Sequence, residues 1–278
     1  MKRLVNIIII VVLTGNIFAS LQSSGCVIIG NDTLYTYSDL FEKYERHDSL
    51  IYDIDKQVLQ FRKKDKPEKY LTEEIEVMPF YSTWEVLDDK MYLTKIEQYS
   101  NKLYDIDLKE LFNDKESKGK VFVSWLTDTI YISKGKVLVE GIKPIRIFET
   151  ELIVKDGILI QRRNYENYIS KESNFIVNEE FIYRNINWEK LPDFSKKSIQ
   201  TYIGIKPRKN GKLDGIDEGS FVIIDSKIIT DKDNPFLKEA YRIAKLVPEW
   251  NVVVQRNEIV TLSMTIYFDE RTKQKYAR

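Results

Sequence analysis

His47 and Cys26 are the only histidine and the only cysteine in 278 residues. Histidine relays, Cys-His nucleophiles and zinc sites all need imidazole or thiolate at fixed places, usually several of them. One histidine, lying in the charged run "YERHDS", reads as a solvated residue at a helix end and supports neither a histidine-based triad nor a multi-histidine metal site. Cys26 has no histidine near it in sequence. The other candidates for chemistry are carboxylate groupings: Asp88 with Asp89, Asp105 with Asp107, and Asp225 with Asp231 and Asp233. Such groups serve glycoside hydrolysis or calcium binding. The first pair, however, falls in a hairpin turn and the second at a helix cap. "NGKLDG" lacks the strand-to-helix setting of a phosphate cradle, and no EF-hand spacing occurs. The expectation is a protein that is not an enzyme, with no catalytic, cofactor-binding or metal-ligating residues.

Composition frames what must position the remaining residues. The chain is 43% apolar and 31% charged, and Lys+Arg equals Asp+Glu at 43 each. It can bury a sizeable core, and it carries no net field that would draw nucleic acid or an anionic membrane. Lys2 and Arg3, the apolar run Leu4 to Phe18, and the small residues Ala19 and Ser20 follow the order of a signal peptide. The expectation is export to the periplasm with a leader at 1–20. "SSGC" offers a second route, lipid anchoring through Cys26, but Ser23 stands where an apolar residue is usual. "CVIIGNDTLYTY" instead reads as two β-prone runs about a turn, with Cys26 a thiol in the first strand.

From Thr33 to about Ile186, short β-prone runs alternate with turn signals: "LDDK" at 87–90, "SKGK" at 133–136 and "KDGI" at 155–158. Two short helices interrupt them, "SDLFEKYERH" with Ser38 as cap and "DIDLKELF" with Asp107 as cap. Trp84 and Trp125 read as core. On an exposed face they would instead form a platform for sugar or peptide, which is the alternative reading of this β-rich region. The residues "TWEVLDDKMYLTKIE", "YDIDLKELF" and "KVFVSWLTDTIYISKGK" resemble an uncharacterised family of β-rich proteins seen chiefly in Bacteroidetes, a likeness that implies no activity. The β pattern breaks near Pro192, so the expected domains are 21–192 and 193–278.

In the second domain "SIQTYIGIKPRKNGKLDGI" reads as a strand and an Asn-Gly hairpin, and "SFVIIDSKIIT" as a further strand or pair. "NPFLKEAYRIAKLV" is a helix with Pro235 in its first turn and Phe236, Leu237, Ala240, Ile243, Ala244 and Val247 along one stripe. Pro248 ends it, Trp250 follows, and "NVVVQ" and "EIVTLSMTIYF" form two strands about "RNE". The helix, with Glu239, Ala240, Arg242, Pro248 and Trp250, is similar to that of the TonB carboxy-terminal domain, a likeness covering roughly residues 198–268. The expected class is therefore α+β, a mainly antiparallel β domain followed by a small β-β-α-β-β unit.

The resemblance implies a protein–protein interaction module whose sheet edge takes a strand from an envelope partner, in the family a segment of an outer-membrane transporter. Two departures stand out: the Pro-Gly after the tryptophan is missing, and seven scattered prolines provide no long reach. The residues assigned to the partner-binding edge are Val260, Thr261, Leu262, Ser263, Met264, Thr265 and Ile266, in a strand expected to run from Glu258 to Phe268. Pro248 and Trp250 are assigned as structural anchors.

Overall fold

Pairs of residues with positive φ set the hairpins of the computed structural model, which describes residues 24–65, 80–99, 103–140, 143–195, 197 and 199–277. Asp88-Asp89 (48° and 58°), Asp156-Gly157 (51° and 77°), Asp225-Ser226 (49° and 67°) and Arg256-Asn257 (52° and 68°) each supply the two left-handed residues of a tight turn. The described chain is mostly β with five α-helices. It divides into two compact units, one ending at Glu166 and the other beginning at Asn167. The expected leader at 1–20 lies outside the described residues. No helix among those described is long and apolar enough to cross a membrane.

The first unit contains β1 (Ser24–Ile29), β2 (Asp32–Thr36), α1 (His47–Asp65), β3 (Phe80–Leu87), β4 (Lys90–Tyr99), β5 (Leu103–Asp105), α2 (Leu108–Phe112), β6 (Glu116–Ser117), β7 (Lys120–Phe122), β8 (Asp128–Val139), β9 (Ile145–Lys155) and β10 (Ile158–Glu166). Its sheet runs β10-β9-β8-β2-β1-β3-β4-β7-β6, with β5 also on β4, and β10 returns to β4 at Ile158 and Lys90. Every pairing is antiparallel except β1 with β3. Alternate residues of these strands, among them Val27, Leu34, Trp84, Leu93, Ile132 and Leu152, share one core with Leu50, Ile54 and Val58 of α1.

Three expectations change here. The first helix starts at His47, not at Ser38. Leu40, Phe41 and Tyr44 are buried, but i to i+3 bonds such as Tyr44 N to Phe41 O (2.8 Å) and His47 N to Tyr44 O (2.9 Å) hold them in turns. "SKGK" is not a turn either: Gly135, at φ +86°, is a bulge inside β8 where the pairing shifts between Lys134 and Val137. The third concerns the boundary. The segment 167–192 belongs with the second unit, because Ile182, Tyr183, Ile186 and Trp188 pack into its core beside Ile199 and Phe236.

That second unit holds β11 (Tyr168–Lys171), α3 (Glu179–Arg184), β12 (Ile199–Pro207), β13 (Leu213–Ile216), β14 (Phe221–Ile224), β15 (Lys227–Ile229), α4 (Pro235–Leu246), β16 (Val252–Gln255), β17 (Glu258–Ile259), β18 (Leu262–Phe268) and α5 (Glu270–Tyr276). β12 is the central strand: β14 and β13 lie end to end along one side of it and β18 along the other, while β15 extends β14. A second sheet runs β11-β16-β17. α4 begins as its sequence dictates, with Asn234 Oδ1 accepting the amides of Phe236 (3.0 Å) and Leu237 (3.4 Å) and Pro235 in the first turn.

Candidate functional site

β18 alternates as its sequence requires. Met264, Ile266 and Phe268 are buried with Phe236, Ala240 and Ile243 of α4 in one core, and the Phe236 and Phe268 rings lie 5.2 Å apart. Ser263 is exposed, and Thr265 and Tyr267 are partly so. Main-chain direction alternates with the same period. Tyr267 turns its amide away from β12, donating to the Tyr183 hydroxyl at 3.3 Å. Ser263 and Thr265, of the same parity, therefore direct their N–H and C=O groups to the outer rim, and Leu262, Met264, Ile266 and Phe268 direct theirs toward β12. Among the described residues no strand pairs with this rim.

One end of the rim is closed. Tyr183, on α3, is buried, its ring stacks on Tyr276 of α5 at 5.4 Å, and Tyr276 donates to Glu179 at 3.5 Å. Burial pushes the Tyr183 phenol up to about 12. After β18 the chain forms α5, capped by Asp269, whose carboxylate accepts the amide and hydroxyl of Thr272 at 2.8 Å each.

The assigned residues do not all reach the rim. The expected strand Glu258–Phe268 is interrupted at 260–261. β17 pairs with β16 and the Val260 amide donates to Val253 O at 3.0 Å, so Val260 and Thr261 carry the chain from the second sheet to the side of β12. Leu262, Met264 and Ile266 lie in β18 but turn their main chain inward, which leaves Ser263 and Thr265 as the open positions. The crossing is tight: a Cβ on Gly204 would stand 2.4 Å from Asp217 Cβ and 2.9 Å from Thr261 Cγ2.

The two anchors separate as well. Trp250 is buried under α4 with its amide donating to Gly211 O at 2.7 Å, whereas Pro248 is exposed and only its carbonyl is engaged, by Lys212 at 3.1 Å. Pro248 fails as an anchor because its ring ends the helix at the surface. Glu239 and Arg242 hold the turn at 185–187 against α4. Glu239 accepts the Asn187 amide at 2.6 Å and Arg242 at 2.7 Å, while Arg242 also donates to the Asn185 carbonyl. Burial opposes the Glu239 charge, but the Arg242 guanidinium and the Asn187 amide outweigh it and hold the carboxyl below its ordinary range.

The other chemistry-bearing residues remain apart. Cys26 is buried between β2 and β3 with its thiol donating to Thr83 Oγ1 at 3.7 Å, and His47 faces Asp39 (3.3 Å) and Asp48 (3.5 Å). Asp88 and Asp89 make a hairpin turn, Asp107 caps α2, and Asp233 pairs with Lys238 at 2.8 Å. Among the described residues no group of three or more His, Cys, Asp or Glu is placed to hold a metal ion. Trp84 is fully buried against Phe41, and Trp125 stacks on Phe112 with its indole donating to Leu40 O. Trp84 provides no exposed ring face, and Trp125 is partly buried with its ring packed on Phe112 and Tyr44.

No family model, curated protein or solved structure matches this chain.

Proposed function

We propose that residues 167–278 form a strand-capture module of an exported envelope protein, related in plan to the TonB carboxy-terminal domain. The single observation that carries this reading is the outer rim of β18. Ser263 and Thr265 offer a donor and an acceptor each, on a strand fixed from below by Met264, Ile266 and Phe268. An extended partner segment completes such a rim with main-chain bonds, and the exposed residues beside it select among segments. The order of hairpin, α4, buried Trp250 and final strand supports the resemblance. The added α3 and α5, which close one end of the rim, confine capture to a short segment.

The module binds another envelope protein, with a segment of an outer-membrane transporter the partner class that the resemblance brings. It acts by holding that partner and not by chemistry on it. Purification from the envelope of the full chain and of a chain lacking residues 167–278 tests this. A defined envelope protein should accompany the first and be lost from the second. Equal recovery with both chains would move the binding surface to the first unit.

A further inference from the structure

The second unit has another open rim, across β12 from β18. Asp217 N donates to Gly204 O at 2.8 Å, so Asp217 and Gly215 face β12 and Ile216 turns its N–H and C=O outward. At the hairpin end Arg208 N donates to Lys212 O at 2.8 Å, so Leu213 turns outward too, and Asp214 is the extra residue of a bulge between them. β15 extends only β14, and among the described residues no strand covers β13 on that side. Along this rim runs an open groove of about 680 Å³, bounded by Lys212 to Ile216 on one side and by Tyr241, Lys245, Val247 and Pro248 on the other.

The groove combines three features that together specify an occupant. Its β13 wall is a strand edge, which an extended main chain can pair with. Beside Gly215 a Cβ would meet nothing within 4 Å, so there is room for a side chain from the incoming strand. Leu213, Ile216, Tyr241 and Val247 line it with apolar surface. Its charge is positive: Arg208 offsets Asp214 through a 2.6 Å contact, which leaves the ammonium groups of Lys212 and Lys245 as the surplus. Lys212 is held at one end by the Pro248 carbonyl at 3.1 Å, and Lys245 stands exposed in the last turn of α4.

We infer that the β13–α4 groove is a second docking site, which takes an extended acidic peptide segment as an added strand beside β13, with its carboxylates meeting Lys212 and Lys245. This site stands on its own residues and does not depend on capture at β18.

Amide NMR of the full chain tests it with a blocked hexapeptide of alternating valine and glutamate, compared with the same peptide carrying glutamine or lysine in place of glutamate. The amides of Leu213 and Ile216 should shift on titration. The glutamate peptide should bind about fivefold more tightly than the lysine peptide, and the preference should fall with added salt and reverse in Lys245→Glu. Equal binding of the three peptides, an unchanged preference in Lys245→Glu, or no shift at Leu213 and Ile216 would overturn the inference. Shifts at Ser263 and Thr265 alone would assign the peptide to β18 and also remove the groove, so the two rims are judged separately.

Discussion

The Tyr183 hydroxyl stands 3.3 Å from the Tyr267 amide, where a neighbouring strand would place a carbonyl. A side chain from α3 thus fills the last hydrogen-bonding position of the β18 rim and ends it after Thr265. Tyr183→Phe removes that cap while keeping the buried ring. It should lower stability by about 1 kcal/mol. Amide exchange should quicken at Tyr267 and remain unchanged at Ile266, which bonds toward β12.

Glu239 makes stability depend on pH. Its folded carboxyl is held below the ordinary range, so its contribution is complete above the unfolded value of about 4.3 and is lost as pH falls toward the folded value. The Arg242 side chain is 36% exposed, and water screens part of the pair. Glu239→Gln should therefore cost about 1 kcal/mol near neutrality and almost nothing in strong acid. Urea unfolding across that pH range checks it: two curves that converge on acidification are expected, and parallel curves would assign the cost to packing alone.

Thr201 lies on β12 with no exposed surface, and its hydroxyl has no hydrogen-bond partner. Thr201→Val keeps the shape and removes a buried polar group. It should raise stability by about 1 kcal/mol, seen as a higher midpoint in thermal unfolding.

Trp250 fills the space beneath α4, and its indole nitrogen is buried without a partner. Trp250→Ala should cost roughly 3–5 kcal/mol through the cavity it leaves. Trp250→Phe should cost distinctly less, because it retains most of the apolar contact and relieves the unpaired N–H. Comparable losses in chemical denaturation would mean that the indole edge itself is needed.

What was legible in the sequence is the part governed by short range. Asp107 with Leu108, Leu111 and Phe112 specifies α2 within a few residues, and its cap bond to Lys109 forms at 2.8 Å. "KMYLTKIEQY" is β4 residue for residue. The alternation in "LSMTIYF" is the buried and open pattern of β18. α1 was harder to read, because its inward residues Leu50, Ile54 and Val58 are interspersed with charges and a buried Asp55. Pro192 looks like a boundary locally. Long-range contacts between Asn187 and Glu239 and between Tyr183 and Tyr267 tie the residues before it to the second unit. The rim itself depends on such contacts: periodicity locates β18, but only the pairing with β12 and the Tyr183 hydroxyl single out Ser263 and Thr265.

Proline placed at the open rim tests the central claim most directly. Thr265 points its amide outward, so Thr265→Pro removes a donor that the fold does not use, whereas Ile266→Pro removes one bonded toward β12. A photo-reactive phenylalanine analogue at position 263 reports what lies on the rim in the intact envelope. The account predicts a discrete cross-linked partner with the parent chain and loss of that adduct in Thr265→Pro. The purified Thr265→Pro protein should unfold close to the parent temperature, and Ile266→Pro should be strongly destabilised. The same adduct from the parent and Thr265→Pro chains, or no adduct from either, would contradict strand capture at β18.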